Sequence, residues 1–437
     1  MNIRSRARAG LACASAFSVL GVVAGAAEPE ERVSELLSRG QDATAAVRVS
    51  DEIWLSPGNS NVYLVRTPKG DVLIDSGLSI QGEKQRRMLL EAIPDLSLQA
   101  IILTHSHADH IGGVRFWKQP DVPIIAHRLL EQRNQDHVRL AEFRDRRARV
   151  LWGAVMPEGG PAYAEITPDV LVDDLHSFQL GGVRFDVIAT PGGEGPDAVS
   201  VWIPAYGALF PGDALGPTLA SFPNLFTLRG ENLREAWPML ETLDALRALE
   251  AEILLPGHFE PVQGKQEIRS LLTRTAEGIR YVHDATVAGM NEGKNLWTLM
   301  QEVELPPHLE LNQQYGRVDW GVRAIYESYT GWFRYESTTE LYATPPNAVY
   351  AELGQLIGAD ALAERAYARV KAGELMQALH LCDVALAAKP GHPPALRARL
   401  AALSALAAQE GRSNFQVAGW LRHRIRETQA ELDANAK

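Results

Sequence analysis

Ten residues constrain this chain more than any others: Thr104 to Gly113, reading THSHADHIGG, directly after the apolar run Ala100-Ile101-Ile102-Leu103. An apolar strand ending in such a loop is a rigid platform, and the loop delivers His105, His107, Asp109 and His110 into one cavity. Imidazole and carboxylate together suit a borderline ion such as Zn²⁺. The bland alternative is a polar loop with scattered histidines. Against it stands the specificity of H-x-H-x-D-H followed by Gly-Gly.

The surrounding chain is mixed α/β up to about residue 265. Asn61 to Gly77 reads strand, turn, strand, and Phe178 to Leu180 with Val183 to Ala189 flank Gly181-Gly182 as a second hairpin. Further strands are expected at Ile101 to Leu103, Pro123 to Ala126, Val199 to Ile203 and Glu252 to Leu255, with helices at Gln81 to Ala92 and Asn232 to Leu249. After residue 265 the chain is helix-forming, broken at Pro306-Pro307, Pro345-Pro346 and Lys389 to Pro394. Ala361 to Ala388 with Pro394 to Gln409 resembles one tetratricopeptide-like hairpin; a solenoid needs about three repeats, so this pair reads as a packing or dimer element.

The N-terminus carries Arg4, Arg6 and Arg8 ahead of the apolar segment Leu11 to Ala24 and the small-residue run AGAA. That is the pattern of a secretory leader spanning residues 1–27, too short and wrongly flanked for a spanning helix. A periplasmic or secreted protein with no stable membrane anchor after cleavage is expected. Without the leader, 40 basic residues face 54 acidic ones, and the net charge moves from −11 to −14. Nucleic acid is thereby excluded as a natural partner. Cys13 lies in the leader and Cys382 is left alone, which excludes a disulfide framework.

The histidine motif resembles the metallo-β-lactamase superfamily, which implies a four-layered αβ/βα sandwich with a metal site at the strand ends. The resemblance implies further ligands downstream: Asp213 in ALFPGDAL, His258 in ILLPGHFEP, and Glu194 in TPGGEGPDAV, where the common pattern has a histidine. A glutamate at that place is similar to the alkylsulfatase branch. Pro223 to Trp237 (PNLFTLRGENLREAW) resembles the branch's sulfate-contacting stretch, which carries that role to Asn224 and Arg229. Glu304 to Phe333 and Asn414 to Ile425 resemble its helical dimerisation region. The domains implied are a catalytic one over 28–264 and an all-α dimerisation domain over 265–437, in a homodimer.

A sulfate ester is anionic, and a pair of divalent cations screens its repulsion of a nucleophile while making hydroxide available near neutral pH. The resemblance implies two Zn²⁺ ions, the first held by His105, His107 and Glu194, the second by Asp109, His110 and His258, with Asp213 bridging; Asp109 and Asp213 are its catalytic carboxylates. A third carboxylate leaves the pair at +1 rather than +2, so holding the substrate anion falls more heavily on Arg229. The run Arg144 to Arg149 reads as a solvated helix face and stays outside the site. Branch members commonly continue into a sterol-carrier-like domain that recruits the alkyl chain; this sequence stops at Lys437, so that cradle is expected to be missing and a long alkyl group is less strongly implied. The expected activity is cleavage of an alkyl sulfate to alcohol and sulfate. The alternatives are a lactonase or phosphodiesterase on the same fold and a non-catalytic metal-binding scaffold.

Overall fold

The computed structural model describes residues 39–152, 166–232, 234–411 and 413–435. The leader expected over residues 1–27 lies outside the described residues. No described helix is long and apolar enough to cross a membrane.

The first sheet runs in chain order: β1 (Val47–Arg48), β2 (Ile53–Ser56), β3 (Val62–Thr67), β4 (Gly70–Ile74), β5 (Leu98–Ile102), β6 (Ile124–His127) and β7 (Val170–Val172). Pairings from β1 to β4 are antiparallel and those from β4 to β7 parallel. The second sheet comprises β8 (Leu175–Leu180), β9 (Val183–Ala189), β10 (Val199–Ile203), β11 (Ala208–Gly212), β12 (Ile253–Pro256) and β13 (Val262–Gln263) in the order β13-β12-β11-β10-β9-β8. Only β11 and β12 pair in parallel there.

Strand alternation sorts the core into layers. On β3, Tyr63 and Val65 face the second sheet, where they join Phe185, Val187, Val201 and Phe210. Val62 and Leu64 face the opposite way, toward Leu89 of the helix Gly82–Ala92 and Ile93 just past its end. The second sheet is covered in turn by the helices Ala236–Ala248 and Lys265–Asn291, whose Leu240, Leu243, Ile268 and Leu272 pack with Leu209 and Leu254. The result is the αβ/βα sandwich that the histidine motif implied. Both faces of each sheet are covered, and burying such apolar area is worth roughly 25 cal/mol per Å².

Beyond the sandwich the chain is helical. Leu296–Glu302 and Val318–Thr330 share a core with the Lys265–Asn291 helix and the second sheet. Ala359–Lys371, Leu375–Ala388, Pro393–Glu410 and Phe415–Ala434 form a distal bundle with its own small apolar clusters. The segment read from sequence as one helix over Ala361 to Ala388 is two. The chain reverses at Gly373, whose φ of 78° is left-handed and suits glycine. The Phe415–Ala434 helix returns to the sandwich, where Gly419 presses against the Leu151 backbone so closely that a Cβ would sit 2.0 Å from its carbonyl oxygen.

Candidate metal centre

The expected ligands come from strand ends on one side of the sandwich. His105 and His107 lie just past β5, with Asp109 and His110 in the single turn Ala108–Ile111. Glu194 follows β9, Asp213 follows β11 and His258 follows β12. The two sheets are stitched together at this edge, since Val199 N donates to Thr104 O at 2.8 Å and Asn61 N donates to Gly257 O at 2.7 Å. Gly113 has a specific reason to be glycine, because a Cβ there would stand 2.0 Å from the Ser76 carbonyl oxygen. The histidine loop therefore presses directly on the turn after β4.

His105, His110 and Asp213 present ligand atoms all within 4.8 Å of one another, and so do Asp109, His110 and His258. Asp213 Oδ2 stands 3.5 Å from His110 Nε2 and 3.2 Å from His258 Nε2, while Asp109 Oδ2 stands 3.3 Å from His258 Nε2. His107 Nδ1 approaches His105 Nε2 at 2.8 Å and Glu194 Oε2 at 3.7 Å. Five of the seven expected ligands thus converge on one small volume, and His107 and Glu194 adjoin it beside His105. His110 Nε2 and Asp213 Oδ1 are buried there without a hydrogen-bond partner, a costly state for polar atoms unless a cation satisfies them.

The outer side of the imidazoles explains why their inner nitrogens face this volume. His258 Nδ1 donates to Asn59 O at 2.6 Å. Asp75, whose φ of 59° is left-handed, accepts from Thr104 N and the Thr104 hydroxyl, each at 2.8 Å, and from His110 Nδ1 at 2.7 Å. With the Thr104 hydrogen committed to Asp75, its oxygen can only accept from His105 Nδ1, 3.0 Å away. One carboxylate thereby places a proton on Nδ1 of two histidines and turns both Nε2 atoms inward.

The carboxylates also set where positive charge is favoured. Burial, with His110 and His107 beside it, pushes His105 well below the ordinary imidazole range. Burial also opposes charge on His110 and His258, but Asp213 and Asp109 outweigh it, lifting His110 well above that range and His258 to about 9. Burial would raise Asp109 and Asp213; His110 and His258 instead hold both below the usual carboxylate range. This acid cluster demands positive charge, and imidazole with carboxylate oxygen is a donor set that suits divalent zinc.

Beside the cluster lies a second, cationic layer. Arg229 donates from Nε to Glu231 Oε1 at 2.6 Å and from Nη1 to the Tyr315 hydroxyl at 2.8 Å, while its Nη2 is 3.3 Å from Glu194 Oε2. Arg234 donates to Glu194 Oε1 at 2.6 Å and to Glu231 Oε2 at 2.8 Å. Tyr315 also donates to Glu194 Oε2 at 3.2 Å, and burial raises its phenol to about 12, so it remains a donor. Asn224 is buried in the same loop with both amide side-chain atoms unpartnered. Arg144 turns inward from the helix Ala141–Trp152, its Nη1 3.8 Å from Glu231 Oε1, whereas Arg149 of the same run stays exposed beside Asp145. The solvated-face reading of that run is therefore corrected for Arg144.

Residues 55–258 match the metallo-beta-lactamase superfamily, and residues 297–422 match the alkyl sulfatase dimerisation family. The chain belongs to the metallo-beta-lactamase superfamily. It is 31% identical over 326 residues to a linear primary-alkylsulfatase of Pseudomonas sp., covering 68% of this chain and 60% of that protein. It is 22% identical to an alkyl/aryl-sulfatase of Saccharomyces cerevisiae, covering 84% and 62%. The chain thus spans 60% to 62% of the length of these two relatives. Its fold is similar to that of a stereoselective inverting sec-alkylsulfatase of Pseudomonas sp., with a TM-score of 0.78, 21% identity and coverage of 89% of this chain and 65% of that one.

For a member of this superfamily, the residues that sequence reading overlooked are instructive. The helix expected from Asn232 starts at Ala236, because the preceding residues are spent on the site: Arg234 reaches Glu194 instead of extending a helical face. Glu231 and Arg234 carried no signal beyond ordinary loop polarity. Tyr315 comes from between the helices, 121 residues from the glutamate it contacts. Asp75 had a usable signal, since Val72-Leu73-Ile74-Asp75 ends an apolar run on an acid, as Ala208 to Asp213 does.

Proposed function

We propose that the protein is an exported dinuclear zinc hydrolase that cleaves a sulfate ester to an alcohol and sulfate. The observation that carries this reading is a divalent-ion donor set lying directly against a buried guanidinium layer. His105, His107 and Glu194 would hold one ion and Asp109, His110 and His258 the other, with Asp213 between them. The ions would supply an electrophilic field and lower the pKa of water toward neutrality. Arg229 and Asn224 would hold the sulfate oxygens, the first by charge-assisted bonds and the second through its unpartnered amide. Arg234 supports Glu194 and offsets the charge that a glutamate adds where a neutral histidine is common. Asp109 and Asp213 would orient the attacking water from the carboxylate side.

Likeness to the Pseudomonas and yeast sulfatases supports a sulfate ester as substrate, with an alkyl sulfate the first choice. A homodimer is supported by the dimerisation match and by apolar exposure along residues 332–357. Trp332, Tyr335, Tyr342, Leu356 and Ile357 are each more than half exposed, and such patches mark interfaces. Light scattering tests the dimer. The arginine-rich leader supports export to the periplasm or beyond.

Assay of purified protein against alkyl sulfates, lactones and phosphodiesters, with metal quantification, tests the function. Sulfate turnover with two zinc ions per chain is expected, and Arg229→Ala should lower it selectively. Preferential turnover of a lactone or a phosphodiester would replace the sulfatase reading with one of these hydrolase activities.

A further inference from the structure

We infer that Glu231 is a positioning residue that ties the metal side of the site to its anion side, an inference that rests on the sulfate-ester reading for its second half. Its carboxylate is the meeting point of four cationic or proton-bearing groups. Oε1 lies 2.6 Å from Arg229 Nε, 3.3 Å from His107 Nε2 and 3.8 Å from Arg144 Nη1. Oε2 lies 3.1 Å from Arg229 Nη2 and 2.8 Å from Arg234 Nη2. Its side chain is 11% exposed, and its backbone N–H is pinned by the Thr227 hydroxyl at 3.1 Å. The loop therefore delivers one carboxylate into a fixed place among three guanidinia.

Two consequences follow from that placement. A carboxylate at the outer nitrogen of a ligating histidine holds the proton there and turns the other nitrogen toward the ion. His107 Nδ1 is the nitrogen that faces His105 Nε2 and Glu194, while Nε2 stands 3.3 Å from both Glu231 Oε1 and Arg229 Nη2. Because Arg229 already donates to both Glu231 oxygens, the Nε2 proton goes to Glu231, which performs for His107 what Asp75 performs for His110. At the same time Glu231 grips Arg229 through Nε and Nη2, which fixes the plane of the guanidinium. An arginine held in plane loses less rotamer entropy when it receives an anion. The pairing also keeps three neighbouring guanidinia from repelling one another before any substrate enters.

The test compares Glu231→Ala with Glu231→Gln. Zinc affinity is measured by competition with a chromogenic chelator, and KM and kcat are measured with octyl sulfate. The amide oxygen of Gln can still accept from His107 Nε2 but no longer neutralises the arginines. Glu231→Gln should therefore keep zinc affinity within about threefold while raising KM about tenfold, and Glu231→Ala should also lose about 10- to 100-fold in zinc affinity. Wild-type zinc affinity and KM in both variants, with only the melting temperature lowered, would overturn the inference. A fall in KM would overturn it too, by showing that Glu231 competes with the substrate for Arg229. If the wild-type protein turns over no sulfate ester, the substrate reading falls, and the zinc comparison, which needs no substrate, still decides whether Glu231 orients His107.

Discussion

Asp75→Asn is a change of one atom with a calculable effect. The carboxylate is 2% exposed and accepts three hydrogen bonds. Thr104 N can only donate, so the new amide must turn its oxygen toward it, placing its NH₂ where Oδ2 faced His110 Nδ1 and the Thr104 hydroxyl. His110 Nδ1 must then accept, which moves its proton to Nε2, the nitrogen directed at Asp213. The Thr104 hydroxyl, now an acceptor from the amide, is free to donate to His105 Nδ1 and invert that ring as well. Each outer partner of a ligating histidine is worth about 10- to 100-fold in metal affinity. Loss at two coupled rings should cost about 100-fold or more, or about 2.7 kcal/mol.

The fold should tolerate the exchange, because volume is conserved and Thr104 N stays paired. The expense is exchange of a charged acceptor for a neutral one, about 1–2 kcal/mol, or a few degrees in melting temperature. Zinc titration against a chelator, with near-ultraviolet circular dichroism to verify packing, separates the two effects. A natively packed Asp75→Asn protein that binds zinc as tightly as the wild type would refute the tautomer argument.

Gly257→Ala should disable the site from a neighbouring position. Its Cβ would stand 2.1 Å from Asp213 Oδ1 and 2.8 Å from His110 Cε1, so about 1–3 kcal/mol of stability and most of the bound zinc should be lost, as calorimetry and elemental analysis would reveal. Retained zinc would show that Asp213 moves aside without consequence. Chelation of the wild-type protein should abolish turnover and lower its melting temperature, since an ion present at a thousandfold its Kd contributes about 4.1 kcal/mol. Restoration on adding zinc back should be complete, and an unchanged melt after verified removal of the ions would count against metal-linked folding.

The histidine motif was legible locally, and the resemblance it carried pointed to candidate donors with the same local setting. An apolar run ends, a turn follows, and His105, Asp213 or His258 stands just past it, so strand periodicity and ligand chemistry occur in the same few residues. The two hairpins were legible for the same reason, their turns being encoded by neighbouring glycines and alternating side chains. The start of the helix at Ala236 was not, because Arg234 and Glu231 have partners elsewhere that outweigh helical propensity.

What the sequence determined by itself is therefore the mixed α/β region, the helical region after it and the metal-binding chemistry of the histidine motif, which follow from short-range pattern; the sandwich and the downstream ligands were implied by the family resemblance. Only the tertiary structure decided the second layer: which nitrogen of each histidine faces inward, which arginine supports Glu194, and that Tyr315 and Arg144 arrive from other segments. Those choices depend on hydrogen bonds between atoms as many as 121 and 199 residues apart, as in Tyr315 to Glu194 and His258 to Asn59. No local pattern encodes such pairings, because their energy exists only once packing has brought the partners together and excluded water.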